Sequence, residues 1–275
     1  MTNIPKRELT RSGNRHVTEE SKVPTLSTAQ EAEGPVLDGL SQRTKRTYRI
    51  AVGSNLKGKI AEMGFFLGHI LRVSEIIKIK HVTSNYPLNS ETEEINYVFS
   101  AYLNSIQAIK DSCQTAMNTD ITWKELSPKY GKFVYYCRNA TTHDGSLMIN
   151  AWRGPHGYIV GPLWYIDNKG KVKEVTPPPE DIVALCRNSA QEVLQCVKTL
   201  VAKNGANLLV PKHADLIAVL DEFRNSDFAP SFVKHIMIER RDEISCSLHN
   251  ANFNYAKDTL QAIEKVQKAF GFDAE

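Results

Sequence analysis

The chain has 275 residues, 41% of them hydrophobic, and a formal net charge of +3. This is enough for one large domain or a domain with an extension, and the charge is too small either to announce a nucleic-acid protein or to exclude one. The five cysteines, Cys113, Cys137, Cys186, Cys196 and Cys246, are odd in number and form no C-x-x-C, which argues against a disulfide framework or a zinc site and for a reducing compartment.

Residues 1–45 are polar, mixed in charge and without periodicity. They hold too little apolar surface to offset the entropy of ordering, so a mobile tail is expected there. A strand is expected where order begins, over Thr47–Val52. The N-terminus carries no apolar run of the kind a secretory signal needs, and no stretch approaches eighteen uninterrupted apolar residues. The expectation is a soluble cytoplasmic protein with no membrane contact.

Leu56, Ile60, Met63, Leu67, Ile70 and Ile77 recur at helical spacing, predicting a helix to about Ile79. Gly58, Gly64 and Gly68 weaken that helix intrinsically and leave room for a close neighbour. Ser90 and Glu93 stand in capping-box register and open a second helix with the stripe Ile95, Val98, Tyr102, Ile106, Ile109 and Cys113. A third helix is expected from Ser127 as N-cap and Pro128 as first helical residue, burying Phe133, Val134 and Cys137 and stopping at Gly145. The period then changes. Residues 147–175 are rich in β-branched and aromatic side chains, and Asp167–Gly170 reads as a hairpin turn, so a small antiparallel ribbon inserted between helices is expected. A fourth helix with Ile182, Cys186, Val193, Val197 and Leu200 on one face ends at Lys203-Asn204-Gly205. Residues 206–275 suggest two or three more helices, broken at Pro211 and Pro230 and stopped at Gly271. The sum is a mostly α protein in which amphipathic helices pack as an antiparallel bundle.

The stretch Tyr135–Gly145, YYCRNATTHDG, holds Arg138 and His143 with four residues between them. Spacing alone decides nothing, because Arg11 and His16 repeat it in the tail. Positions five apart on an ideal helix diverge by about 140°. Thr141 and Thr142 are poor helix formers, and a bend there swings His143 back toward Arg138. On the plainer reading His143 simply sits near a helix C-terminus, where positive charge is favoured, and Arg138 is a surface residue. On the functional reading, Arg138 offers a planar, permanently cationic fork for phosphate oxygens and His143 an acid–base group. No carboxylate cluster of metal spacing accompanies them, and no metal or cofactor is expected. A cation and an imidazole suit RNA cleavage, in which the 2′-OH attacks the adjacent phosphate and the cation offsets the added charge.

RNATTH resembles the motif of HEPN domains, an Arg followed by a polar residue and a His after a spacer of four to six. The order AEMGFFLGHI, INYVFSAYLNSIQAIKDSC, YGKFVYYCRNATTHDG is also similar to that of bacterial HEPN proteins, over roughly residues 56–203. The resemblance implies a HEPN-like helical bundle over 46–205, with the ribbon inserted at about 147–175 and a C-terminal helical extension over 206–275. It implies a metal-independent endoribonuclease of toxin–antitoxin or phage-defence systems, completed at a homodimer interface, with RNA as substrate and an antitoxin or defence protein as a further partner. Arg138 and His143 carry over as the catalytic pair and Asn139 as the polar residue after the Arg. Some such toxins have a modifiable Tyr two residues after the His. Gly145 stands there, so no control by Tyr modification is expected. Other HEPN domains are non-catalytic RNA- or protein-binding modules, which is the alternative.

Around the motif, Asp144 either orients His143 or forms a turn. Tyr135, Tyr136 and Trp152 are candidates for base stacking or for the core. Lys129 and Lys132 either extend a phosphate-binding surface or are merely solvated. Gly154-Pro155-His156-Gly157 reads as an exposed turn carrying Arg153 and His156. His249, Arg240 and Arg241 stand at no motif spacing and receive no role.

Overall fold

The computed structural model describes residues 41–83, 89–143, 147–166 and 170–272. Most of the expected tail, including Arg11 and His16, lies outside them, as do Asp144 and Gly145. The first helix, α1 (Gln42–Val82), starts well before the apolar repeat. The strand expected over Thr47–Val52 is therefore helix. The Ser41 hydroxyl caps it by accepting from the Thr44 N–H at 3.1 Å. Arg46 donates to the Val210 carbonyl and to Asp215, and Arg49 to the Ala116 and Asn207 carbonyls, so four long-range bonds hold these turns helical. Tertiary contacts here outweigh the β propensity of Thr, Tyr, Ile and Val.

Helix α2 (Asn89–Met117) opens one residue before Ser90, which places Ser90 inside the first turn instead of at the cap. All six residues of its expected stripe are buried. Lys80 of α1 pairs with Glu91 of α2, and Gly53 lies against Ala116 at the other end, so the two helices run antiparallel. The expected start at Ser127-Pro128 is replaced by a short helical turn, α3 (Trp123–Leu126), and helix α4 (Gly131–His143). Thr122 and Glu125 form a reciprocal capping box that starts α3, while a turn at 128–130 separates it from α4.

Two separate two-stranded antiparallel sheets replace the single expected ribbon. Strands β1 (Ala151–Arg153) and β2 (His156–Tyr158) pair around Gly154-Pro155, the turn expected to be exposed. Strands β3 (Leu163–Ile166) and β4 (Val172–Val175) pair across the expected Asp167–Gly170 hairpin, of which Asp167–Lys169 lie outside the described residues. Gly161-Pro162 separates the two sheets: Gly161 takes φ +80°, and Pro162 cannot donate to a ladder.

Helix α5 (Ile182–Asn204) is capped by Asp181 and stops at Gly205, where a 3-10 turn covers Gly205–Asn207. Beyond Pro211 and Pro230, four helices follow among the described residues: α6 (His213–Asn225), α7 (Ser231–Glu239), α8 (Arg241–His249) and α9 (Tyr255–Phe270). Gly271 ends α9 in the left-handed conformation at φ +62°. Gly53, Gly64 and Gly68 of α1 face Tyr255, Val266 and Phe270 of α9 in the same order, so α9 runs parallel to α1. A Cβ at Gly64 would stand 3.0 Å from Val266, which explains that glycine by close approach, whereas Gly58 faces nothing within 4 Å. The core is continuous from α1 and α2 through α4 and α5 to α9, which makes the fold mostly helical.

Burial separates the cysteines. Cys113, Cys137 and Cys186 are buried, and desolvation pushes the Cys113 thiol up to about 12. Cys246 is exposed. A disulfide-exchange reagent should therefore titrate Cys246 rapidly in the native protein and Cys113, Cys137 and Cys186 only on unfolding. Equal rates for all would contradict this core.

Candidate functional site

Helix α4 is positioned from three sides. At its start, the Glu192 carboxylate of α5 accepts from the backbone N–H groups of Lys129 (3.0 Å) and Tyr130 (3.3 Å) and from the Ser127 hydroxyl. A carboxylate at this end also suits the helix dipole. Along its length, Phe133, Val134, Cys137 and Ala140 are buried. Just beyond its end, the buried Asn96 side chain of α2 grips the backbone of Ile149, accepting from its N–H at 2.9 Å and donating to its carbonyl at 3.3 Å. Neither Glu192 nor Asn96 stands out in the sequence, because nothing local marks a polar residue whose partners are more than fifty positions away.

The helix is unbroken through Thr141 and Thr142 to His143. The bend expected at the threonines is absent; the Thr141 hydroxyl donates to the Arg138 carbonyl at 3.0 Å, a bond made within a continuous helix. Positions 138 and 143 therefore stand about 140° apart around the axis. Positions 132, 136, 139 and 143 instead fall on one stripe about 60° wide. Arg138 reaches that stripe through its side chain: Nη1 donates to Asn139 Oδ1 at 3.0 Å. The Arg138 Nε is buried and has no hydrogen-bond partner among the described residues. Arg138 and Asn139 are thus brought together, and Asn139 shares a face with position 143.

The aromatic pair stays together, ring centroids 5.2 Å apart, with both rings half-buried against the core. Tyr135 packs against Trp123, ring centroids 5.8 Å apart, and joins the margin of the core. Tyr136 lies on the stripe, one turn from exposed Lys132, whose Nζ stands 6.0 Å from its ring centroid. Helical periodicity sets Tyr136 on this stripe, since 132, 136, 139 and 143 follow i, i+4, i+7, i+11. Lys129 is engaged elsewhere: its Nζ donates to Glu180 at 2.8 Å and to the Tyr130 hydroxyl at 2.6 Å. These bonds hold the ammonium above its usual range and the Glu180 carboxyl below its own. The β1–β2 hairpin places Arg153 over the Tyr158 ring at 5.5 Å and His156 Nδ1 3.6 Å from the Asp181 carboxylate. Trp152 is half-buried.

Among the described residues, no group of three or more His, Cys, Asp or Glu is arranged to hold a metal ion, and no helix is long and apolar enough to cross a membrane. No family model, no curated protein and no solved structure matches the chain.

Proposed function

We propose that the chain is a metal-independent endoribonuclease of the HEPN type, acting as a homodimer in toxin–antitoxin or phage defence. The observation that carries this reading is the Arg138–Asn139 bond, which draws a guanidinium toward the α4 face that also holds position 143. In this reading His143 takes the proton of a ribose 2′-OH, and that oxygen forms a bond to the adjacent phosphorus. The P–O5′ bond breaks and the leaving oxygen takes up a proton, giving a 2′,3′-cyclic phosphate and a 5′-OH. Arg138 offsets the charge of the phosphorane. Asn139 positions the Arg138 fork, and Lys132 and Tyr136 meet the backbone and a base of the flanking strand. Divergence of positions 138 and 143 on one helix is met by pairing two copies about a two-fold axis, so that Arg138 of one protomer works with His143 of the other.

The second reading is a HEPN-like RNA- or protein-binding module without catalysis. The same unbroken helix favours it, because a pair turned apart within one chain has no chemistry until a second chain completes it.

The deciding experiment is cleavage of single-stranded RNA in EDTA with the product ends identified. Cyclic phosphate and 5′-OH termini, with no cut at a site carrying 2′-deoxyribose, are expected. Intact tRNA, rRNA and mRNA after prolonged incubation would select the binding module. Asn139→Ala should lower the cleavage rate by about tenfold, the worth of one hydrogen bond to a charged group. An unchanged rate would remove Asn139 from the site.

A further inference from the structure

Helix α1 begins against the usual charge rule. Arg43, Lys45, Arg46 and Arg49 fill its first two turns, the first turn holds no acidic residue, and between Asp38 and Glu62 the chain carries no Asp or Glu. Cations are disfavoured at this end, because the helix dipole already places positive charge there. Folding brings up a second such end. Arg46 Nη2 reaches Asp215 in the first turn of α6 at 3.2 Å, and Asp215 Oδ2 accepts from the Lys212 N–H at 2.8 Å. The N-termini of α1 and α6 therefore meet, with the exposed Lys212 beside them. Compensation is small. Asp215 answers Arg46 alone. Arg49 bonds the Ala116 and Asn207 carbonyls, which carry no net charge, and burial together with the nearby Arg46 holds its guanidinium below the usual range. Arg43 is exposed and Lys45 half-exposed, and neither has an ion pair among the described residues.

We infer that the joined starts of α1 and α6 form a nucleic-acid-binding surface, whose partner is the phosphate backbone of a single strand. Arg43 and Lys45 stand about 160° apart around α1. A strand crossing the helix end meets both, whereas one small anion meets only one of them. Cations spread in this way suit a polyanion. Tyr48, 38% exposed, stands one turn from Lys45 and offers a ring on which an unpaired base stacks beside the cation. An acidic protein segment has carboxylates for the cations but no base for that ring. The chain's net charge of +3 conceals the patch, because carboxylates elsewhere offset it. The inference does not rest on the nuclease reading, which concerns α4.

The test is fluorescence anisotropy of a labelled 2′-O-methyl oligouridylate, a strand that no 2′-OH attack can cut, titrated with the full chain over a series of salt concentrations. Three phosphate contacts, from Arg43, Lys45 and Lys212, are expected to give a slope of log affinity on log salt of about −2. Arg43→Gln combined with Lys45→Gln should weaken binding by about tenfold or more and flatten the slope to about −0.7, the value of the one contact left. Its melting temperature should be unchanged or higher, because the lost charges stood at the wrong end of a helix. Tyr48→Ala should weaken binding by about fivefold or more. No binding at the lowest salt, wild-type affinity in the double variant, or a loss seen with Lys132→Ala instead would overturn the inference; the last would move the surface to α4. Equal affinity for polyglutamate, indifferent to Tyr48→Ala, would replace the nucleic acid with an acidic protein segment and overturn it as well.

Discussion

Alanine at position 143 is expected to lower the rate of RNA cleavage by about 10²–10⁴-fold, the usual contribution of a positioned acid–base group. The fold should survive, because the buried face of α4 consists of Phe133, Val134, Cys137 and Ala140, none of which the change touches. Arg138→Ala should cost a comparable factor, and Arg138→Lys should recover little of it. A lysine is a point charge without the planar fork that both Asn139 and a phosphate can use. The pair also offers a complementation test. If Arg138 of one protomer works with His143 of the other, mixing the two inactive alanine variants leaves one intact pair in each mixed dimer, and activity returns. If the pair works within one chain, every mixed dimer is dead. Wild-type rates in both single variants would sink the nuclease reading with the protein still folded.

Alanine at position 131 should have the largest effect on stability. A Cβ on Gly131 would fall inside the contact distance of the Trp123 carbonyl oxygen and 2.8 Å from its carbon. The obstacle is backbone, which cannot rotate away, and the Gly131 N–H is itself bonded to the Ser127 carbonyl at 2.8 Å. Either α3 parts from α4 or the first turn of α4 opens. A loss of about 3 kcal/mol is expected from strain of this kind. At about 2–4 °C per kcal/mol for a chain of this size, the melting temperature should fall by roughly 6–12 °C. Gly58→Ala is the control, since nothing lies within 4 Å of its added carbon. That variant should be neutral or more stable by up to about 1 kcal/mol, the helix propensity difference. Equal melting temperatures for the two variants would show that the α3–α4 junction yields to an added carbon.

The stripe of α2 is legible because it needs only period and polarity: Ile95, Val98, Tyr102, Ile106, Ile109 and Cys113 stand at helical spacing, and each is buried. The stops were legible for local reasons as well. Gly205 and Gly271 end helices and Pro211 and Pro230 break them through backbone preferences that act within a few residues. The start of α4 was misplaced because Ser127-Pro128 has the chemistry of a helix start, while the observed start is secured by a carboxylate sixty residues on. At the candidate site, Arg138, Asn139 and His143 can be read as a motif, whereas the unbroken course of the helix through Thr141 and Thr142 runs against their low helix propensity.

The sequence by itself determined the helical class of the chain and the faces most helices bury, because these follow from side-chain chemistry and short-range geometry. Only the tertiary structure decided where α1 begins, that α9 lies parallel to α1, and where α4 starts. Each of those outcomes is set by partners distant in sequence: Val210 and Asp215 for Arg46, Val266 for Gly64, Glu192 for the turn before α4. A hydrogen bond or a close approach between such positions leaves no periodic trace in the residues that make it.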